Sequence, residues 1–301
     1  MNALTLNNIT KTFNDFTAVD KLSLDVPEGS IYGFIGPNGS GKTTTIRMIM
    51  NILHPDSGEI TILGSPRASI DNDLVGYLPE ERGLYKKMKI RELLQFYGQL
   101  KTGHSVSADV DFWLKKLDLA EWGSKKVEAL SKGMSQKVQF IATVVSHPKL
   151  VILDEPFSGL DPVNTDVLLQ AMLELQKNGS TVIFSTHDMA TAEKVCDYVF
   201  MIHKGKKVLD GTLHEIQDKY GSDTLRIRCD NKPSGLERIP GVDKVHDFGQ
   251  SQELRIAPGS NPQDILKELM KDNTLLSFEL MKPSLHDIFV RIAGTEEVNH
   301  V

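Results

Sequence analysis

A glycine-rich segment, Gly36–Thr43, has the residue types and spacing of a phosphate-binding loop. It fits the pattern Gly-x-x-x-x-Gly-Lys-Ser/Thr, and it lies between a run that predicts a strand and a run that predicts a helix. The glycines let backbone N–H groups curl around phosphate oxygens, and the helix N-terminus adds partial positive charge. Lys42 is expected to reach the β- and γ-phosphates, and the Thr43 hydroxyl is expected to ligate Mg²⁺. The segment therefore predicts a site for a magnesium-bound nucleoside triphosphate.

Two acids, Asp154 and Glu155, directly follow the apolar run Leu150–Leu153. Unpaired carboxylates at the end of a buried strand are costly, so a purely structural role explains them poorly. A metal-bound triphosphate explains both. We expect Asp154 to hold Mg²⁺ through water and Glu155 to polarise the water that attacks the γ-phosphate.

The elements that would position these groups alternate between strand and helix. A helix is expected from about Gly41, with its apolar face continuing to Leu53, and Pro55 would end it. Residues 84–148 are predicted to be rich in helix, and a further helix should follow Pro162. Because the later strands are almost wholly apolar, an α/β fold with a mainly parallel, doubly covered sheet is predicted. The predicted strands are Leu4–Leu6, Leu22–Val26, Ile31–Ile35, Leu150–Leu153 and Thr181–Ser185.

The composition shifts near Tyr220–Asp223, which predicts two domains. Residues 1–220 would form the nucleotide-binding domain, with a helical subdomain at about 84–148. Residues 221–301 would form a small α+β accessory domain that regulates, dimerises or only stabilises. Its predicted strands are Leu225–Arg228 and Leu275–Met281, and its predicted helices are Asn261–Met270 and Leu285–Ile292.

The bulk properties exclude several classes of protein. The 301 residues carry a formal net charge of -6, which argues against broad attraction to nucleic acid or anionic lipid. The two cysteines, Cys196 and Cys229, lack metal-ligand spacing and are expected to be buried thiols in a reducing cytosol. No apolar run approaches the roughly 18 residues of a membrane span, and the first residues do not resemble a signal peptide. We expect a cytosolic protein with no nucleic-acid partner, whose membrane role would come through another subunit.

Four further motifs follow a fixed order along the chain: Phe13, Leu130–Met134 before a helix, Ser158–Asp161 after the second acid, and His187 after a strand. From Leu4 to about Gly211 the chain resembles the ATPases of ABC (ATP-binding cassette) systems. In that family these positions are the ring that stacks on adenine, the signature, the D-loop and the switch histidine. Alone, His187 would be interpreted as a surface histidine and Phe13 as a core residue.

The resemblance implies a P-loop NTPase fold whose parallel core sheet is joined by an antiparallel β subdomain and a helical subdomain. ATP and Mg²⁺ are the implied cofactors, and two cassettes pack head to tail with ATP between one P-loop and the other signature. Glu155 and His187 are the implied catalytic residues, and Thr43, Glu80 and Asp154 the implied metal ligands. The implied nucleotide-binding residues are Phe13, Gly36, Pro37, Asn38, Gly39, Ser40, Gly41, Lys42, Thr43, Thr44, Ser131, Gly133, Met134 and Asp161.

Three positions depart from the family pattern: Glu80 replaces the Q-loop glutamine, Lys132 a glycine and Met134 a glutamine. Ser131 and Gly133 are retained, so ATP hydrolysis is expected to survive. The segments Pro79–Tyr85 and Pro283–Phe289, together with this signature, resemble a narrower branch, the bacterial sodium-efflux-type exporter ATPases. The branch does not fix the cargo.

Two functions stay open at this stage. The first is the energy-coupling subunit of an ABC exporter, held on the inner face of the cell membrane by a polytopic permease and paired with a second copy or a paralogous cassette. The second is a non-transport ABC ATPase acting in translation, DNA repair or regulation. The single cassette and the absence of heptads and cysteine pairs favour the first, as do Glu155 and His187, which a mere nucleotide sensor would not need.

Overall fold

The structure is a computed structural model that describes residues 1–70, 72–80, 83–221, 223–231 and 233–298, with side chains except those of 72 and 293–298. It divides into two compact units, Met1–Leu213 and His214–Val301. Within the described residues, no helix has both the length and the apolar character needed to cross a membrane. The strands of the first unit are β1 (Asn2–Phe13), β2 (Phe16–Pro27), β3 (Ile31–Ile35), β4 (Ser57–Ile62), β5 (Ser65–Pro66), β6 (Val75–Leu78), β7 (Leu150–Leu153), β8 (Thr181–Thr186), β9 (Tyr198–His203) and β10 (Lys206–Thr212). Its helices are α1 (Lys42–Ile49), α2 (Ile90–Thr102), α3 (Ser107–Lys116), α4 (Lys132–Val144), α5 (Pro162–Lys177) and α6 (Met189–Val195). Helix α7 (Leu213–Tyr220) begins at the last residue of the first unit and otherwise belongs to the second.

The central sheet of the first unit has six strands in the order β10-β9-β3-β8-β7-β6. All neighbours are parallel except β9 and β10, which form an antiparallel hairpin. Every residue of β3, β7 and β8 is buried, which explains their almost continuous apolar sequences. Because parallel strands end at the same edge, the segments after Ile35, Leu78, Leu153 and Thr186 meet there. The predicted α/β class is confirmed.

The second sheet of this unit is antiparallel, in the order β2-β1-β4-β5. The sequence predicted only short strands here, whereas β1 and β2 each extend over 12 residues. Register shifts interrupt their pairing, one of them between Leu6 and Ile9, and Asn8 has a positive φ of 47°. These bulges break the alternation of apolar and polar residues, so the pattern concealed the length of both strands.

Helix α1 ends earlier than its apolar periodicity predicted. Its last residue is Ile49, and Asn51 adopts a left-handed conformation with φ 58°. The amide of Ile52 donates to Arg47 O at 2.9 Å, and the amide of Asn51 donates to Met48 O at 3.0 Å. This pair of hydrogen bonds is the Schellman motif, in which Asn substitutes for the usual Gly. Leu53 therefore lies beyond the helix, although it still packs on the core.

Helices α2, α3 and α4 form the helix-rich segment predicted between residues 84 and 148. Their buried apolar residues recur at helical spacing, for example Leu93 and Leu94 in α2, and Val138 and Ile141 in α4. Trp113 of α3 contacts Phe140 of α4 with ring centroids 5.9 Å apart. This contact holds α3 against α4, the helix that begins within the signature segment Leu130–Met134.

The second unit contains β11 (Thr224–Cys229), β12 (Val242–Asp247), β13 (Gln252–Ile256), α8 (Pro262–Asp272), β14 (Leu275–Met281) and α9 (Leu285–Val298). Its sheet is antiparallel in the order β12-β13-β11-β14. Ile265 and Leu269 of α8 pack on Leu225, Ile227 and Leu254 of the sheet. The four elements expected from the sequence are present. Strands β12 and β13 were not predicted, and β12 is exposed or half-buried throughout.

Candidate functional site

The glycine-rich loop lies between β3 and α1, as the sequence predicted. Gly41 precedes the helix with φ 111°, and a Cβ there would lie 2.6 Å from Ala18 O. At Gly36 a Cβ would lie 2.3 Å from Ile202 O. Any larger residue would push the loop away from the strands beneath it, so both glycines are required for its path.

Lys42, the first residue of α1, points back into the loop. Its Nζ donates to Gly36 O at 2.7 Å and to Pro37 O at 3.2 Å, and lies 3.7 Å from Glu155 Oε1. Desolvation lowers the pKa of Lys42, and the carboxylates of Glu155 and Asp154 oppose that shift. The arrangement holds the Lys42 ammonium group inside the glycine-rich loop, beside Glu155.

Asp154, directly after β7, is completely buried. Its Oδ1 accepts from Ser185 Oγ at 2.6 Å and lies 3.5 Å from Thr43 Oγ1, while Oδ2 is buried without a hydrogen-bond partner among the described residues. A buried, unpaired carboxylate oxygen beside a hydroxyl suits a hard divalent cation. The predicted ligands Thr43 and Asp154 are therefore adjacent, and they fit Mg²⁺.

Glu155 has a positive φ of 47°, an uncommon conformation for a residue with a Cβ. Its amide donates to Ser185 Oγ at 2.9 Å. Its Oε2 lies 3.0 Å from His187 Nδ1, and the imidazole is 59% exposed. The two predicted catalytic side chains are thus in hydrogen-bond contact, with Glu155 nearly buried and His187 open to solvent. The cavity beside them is also lined by the loop Phe157–Leu160.

Ser185, the next-to-last residue of β8, was missed by the sequence analysis. Its hydroxyl donates to Asp154 and accepts from the amide of Glu155, so it fixes the path of both acids. The available signal was a serine that follows the apolar run Val182–Phe184 at the end of a buried strand. Buried hydroxyls require partners, and the ends of neighbouring strands supply them.

Glu80 follows Pro79 at the end of β6 and is exposed. The amide of Asp154 donates to Leu78 O at 2.8 Å, so the two acids follow neighbouring strands. The charge of Glu80 also acts to raise the pKa of Lys42. Glu80 therefore lies at the same edge of the sheet as Asp154. The neighbouring Glu81 and Arg82, part of the segment used for the resemblance, lie outside the described residues.

The signature and the D-loop lie against one another. Ser131 caps α4 and accepts from the amide of Met134 at 3.2 Å. A Cβ on Gly133 would lie 3.4 Å from Leu160, and a Cβ on Gly159 would lie 2.5 Å from Lys132 Nζ. The substituted lysine of the signature therefore lies over the D-loop of its own chain, while the hydrogen bond of Ser131 is made within its own helix.

Asp161 caps α5 by accepting hydrogen bonds from the backbone amide of Asn164, at 2.9 Å, and from its side-chain amide. These hydrogen bonds lower the pKa of Asp161. Phe13 ends β1 with 44% of its surface exposed, and Lys11 Nζ lies 5.7 Å from the ring centroid. The remaining loop residues, Asn38, Gly39, Ser40 and Thr44, lie in or directly after the loop.

The turn Lys204–Gly205 joins β9 and β10. The amide of Gly205 donates to Ser40 O and its carbonyl accepts from the amide of Asp20, both at 2.9 Å. The turn thereby connects the glycine-rich loop to β2, whose hairpin partner carries Phe13.

Comparisons with known proteins agree with this geometry. The family described as ABC transporter matches residues 19–158, and the family described as ATP-binding protein DrrA1-3-like, C-terminal domain, matches residues 211–293. The chain is 41% identical over 293 residues to the ABC transporter ATP-binding protein YhaQ of Bacillus subtilis, covering 97% of this chain and 98% of YhaQ. It is 31% identical over 303 residues to the Nod factor export ATP-binding protein I of Sinorhizobium fredii, covering 98% and 87% of the two chains.

Two solved structures are similar as well. One is an ATP-binding subunit of an ABC transporter, with a TM-score of 0.68 and 31% identity over 73% of this chain and 93% of that one. The other is CbiO1 from Clostridium perfringens, part of the ABC transporter complex CbiONQ, with a TM-score of 0.64 and 26% identity over 73% and 92%. The relatives span nearly the whole chain and the site has the expected order of loop, acids and histidine, so this chain belongs to the ATP-binding proteins of ABC transporters.

Proposed function

We propose that this subunit hydrolyses Mg²⁺-bound ATP in a site completed by a second cassette, and that hydrolysis drives export through a separate membrane permease. The observation that carries the proposal is the meeting of Lys42, Asp154, Glu155 and His187 at one edge of a parallel sheet. Those groups supply a cation for phosphate, a metal ligand, an acceptor for a water proton and a partner for the transferred phosphoryl group.

Each side chain has a defined task. Lys42 neutralises phosphate charge from a buried position, and the loop amides and the N-terminus of α1 bind the same oxygens. Glu155 orients the attacking water, and His187 contacts the phosphoryl group from the solvent side. Thr43, Asp154 and Glu80 are the residues that would hold Mg²⁺, which would neutralise negative charge on the phosphate oxygens. Ser185 keeps Asp154 and Glu155 in place.

The second cassette would supply its signature to this P-loop. Ser131 is exposed at the start of α4 and Gly133 is half-buried, so the helix N-terminus is accessible to a phosphate from another chain. Met134 would complete that contact, Asp161 would link the two sites, and Phe13 offers an exposed ring for adenine. The second cassette is either another copy of this chain or a paralogue.

An apolar surface on the helical part supports a protein partner. A cavity of about 260 Å³ is lined by Tyr77–Pro79, Gly83, Leu84 and Tyr97. Beside it, Tyr85 and Phe96 are 58% and 44% exposed and contact one another with centroids 6.4 Å apart. Exposed aromatic clusters indicate protein contacts. We assign this surface, whose residues lie on both sides of Glu80 along the chain, to a polytopic permease that holds the subunit at the inner face of the membrane.

The direction of transport and the domain limits belong to the same proposal. Relatives that cover almost the whole chain are named as Nod factor export proteins, which favours export, and sodium efflux stays a prediction about the cargo. The proposed nucleotide-binding domain ends at about residue 220, and the accessory domain comprises residues 221–301. Helix α7 precedes this boundary, although its Gln217 donates to Pro283 O at 3.1 Å, within the second structural unit.

Two substitutions test the chemistry because they should stop different steps. Lys42→Ala should lose both ATP binding and hydrolysis, whereas Glu155→Gln should bind ATP, fail to hydrolyse it and accumulate as a dimer. ATP affinity, phosphate release and molar mass by light scattering would be measured for each. A monomeric Glu155→Gln protein in saturating ATP and Mg²⁺ would refute the shared site.

A mixing experiment tests whether the sites are composite. A Lys42→Ala chain mixed with a Ser131→Arg chain should recover activity, with at most one intact site in each dimer. Unmixed variants are the controls, and a mixture no more active than their average contradicts the arrangement. Co-purification with a polytopic membrane protein, rather than with ribosomes, would separate transport from a soluble role.

A further inference from the structure

Lys132, the first residue of α4, is an exposed cation in an unfavourable place. Within the described residues its side chain forms no ion pair and no hydrogen bond, and the first turn of α4 contains no acidic residue. Nothing in that turn therefore offsets the repulsion between the ammonium group and the positive end of the helix dipole. The electrostatics of the isolated chain disfavour a lysine at this position.

The side chain of Lys132 lies across the D-loop. A Cβ on Gly159 would be 2.5 Å from Lys132 Nζ and 2.8 Å from its Cε, so the bare backbone of this glycine supplies the surface on which the lysine packs. The next residue of the signature, Gly133, approaches Leu160 of the same loop. The ammonium group thus lies at the junction of the signature and the D-loop, the two segments that reach the second cassette in the proposed function.

The two halves of the proposed composite site differ in charge. On the P-loop side, three carboxylates act on the charge of Lys42, those of Glu155, Asp154 and Glu80. Lys42 and a bound Mg²⁺ would balance these carboxylates, which leaves the charge of the triphosphate to the loop amides and to the second cassette. The signature side is positive, because it combines the N-terminus of α4 with Lys132.

We propose that the ammonium group of Lys132 binds the γ-phosphate of the ATP held by the P-loop of the second cassette, an inference that rests on the proposed function. Negative charge on the transferring phosphoryl group is stabilised by a cation supplied from another chain. Ser131 and Gly133 would approach the same phosphate with a hydroxyl and a backbone amide. Lys132 adds a charged contact where the family pattern has a glycine.

Substitutions at this position separate the charge from the packing. Lys132→Met keeps an unbranched chain over Gly159 and loses the ammonium group, and it should lower kcat roughly 10- to 100-fold. Lys132→Arg keeps the charge and should stay close to wild type. Lys125→Met is the matched control, because Lys125 is also exposed and forms no ion pair among the described residues. A Lys132→Met chain as active as Lys125→Met, or an equal loss in both Lys132 variants, would overturn the proposal.

Binding and stability measurements distinguish a phosphate contact from a structural role. ADP lacks the γ-phosphate, so Lys132→Met should bind ADP with Mg²⁺ as tightly as wild type does. In the Glu155→Gln background, loss of the lysine should raise the dissociation constant of the ATP-bound dimer roughly tenfold. The nucleotide-free variant should melt at or above the wild-type temperature, because a cation leaves the N-terminus of α4. Weaker ADP binding together with a lower melting temperature would show that Lys132 only supports the fold.

Mixed chains show which protomer the lysine serves. Trace wild type, too dilute to dimerise with itself, is assayed with excess Lys42→Ala, whose signature is intact. Replacing the excess chain by the Lys42→Ala, Lys132→Met double variant should lower activity roughly tenfold, whereas replacing the trace chain by Lys132→Met should not. The opposite order would place the effect within one chain and refute the inference. No activity in any mixture would instead contradict a composite site between copies of this chain, and with it the proposed function.

Discussion

Removing the hydroxyl of Ser185 should damage the ATPase site more than its small size suggests. The hydroxyl donates to Asp154 Oδ1 at 2.6 Å and accepts from the amide of Glu155 at 2.9 Å, and Ser185 has no exposed surface. Ser185→Ala deletes both hydrogen bonds and leaves a buried amide and a buried carboxylate oxygen without this partner.

The magnitude follows from the two contacts. A hydrogen bond to a charged group contributes about 1.5–3 kcal/mol and a neutral one about 0.5–1.5 kcal/mol, so the stability of the first unit should fall by about 2–4.5 kcal/mol. Both acids also lose a constraint on their position. Loss of a side chain that orients metal ligands typically reduces metal affinity or activity by about 10–100-fold, and we expect kcat to fall within that range.

Ser180→Ala is the matched control, because Ser180 is a buried serine just before the other end of β8 and donates to Pro148 O at 2.8 Å. It should cost about 1 kcal/mol and leave the kinetics unchanged. Thermal melting and steady-state ATPase assays across a Mg²⁺ titration would be run on both variants. If Ser185→Ala matched Ser180→Ala in stability, kcat and Mg²⁺ dependence, the positioning role of Ser185 would be refuted.

Three further outcomes are expected. Asn51→Val should lower the free energy of unfolding by about 1–2 kcal/mol, because a β-branched residue tolerates the left-handed φ of 58° poorly. Asn51→Gly is the control and should be close to neutral. Equal melting temperatures for the two variants would be inconsistent with the left-handed residue at the end of α1. Burial raises the pKa of Asp188, but hydrogen bonds from Thr191 and Ala190 outweigh it and hold the pKa below the usual range. The Asp188 carboxylate therefore stabilises the fold above about pH 4, and this contribution disappears as the pH falls through the lowered pKa. The melting temperatures of wild type and Asp188→Asn should converge in acid, and a constant difference would show that this carboxylate is not linked to folding. Glu80→Gln should raise the Mg²⁺ concentration for half-maximal hydrolysis, because a carboxylate binds a hard cation better than an amide does, and an unchanged titration would remove Glu80 from the metal site.

The sequence predicted best what depends on local pattern. The glycine-rich loop requires its own glycines, and the run Leu150–Leu153 is buried on both sides, so their positions could be predicted from adjacent residues alone. The end of α1 could not be predicted from periodicity, since one asparagine in a left-handed conformation overrides an apolar face that continues to Leu53. The long β1 and β2 were underestimated because their bulges interrupt the alternation.

Ser185 illustrates a limit of another kind. Its role depends on the parallel pairing of β7 with β8, which brings the ends of two strands separated in sequence into contact. The acids and His187 could be found because their residue types suggest chemistry. A serine in an apolar strand suggests none until its neighbours are known.

The backbone conformation of Glu155 has a consequence for how the chain tolerates change. A non-glycine residue at φ 47° stores conformational energy, on the order of 1–3 kcal/mol. Glycine or asparagine would relieve that strain and remove the carboxylate at the same time. If Glu155 orients the attacking water as proposed, a screen that selects only for heat resistance would therefore enrich inactive chains at this position, and stability and turnover are opposed there.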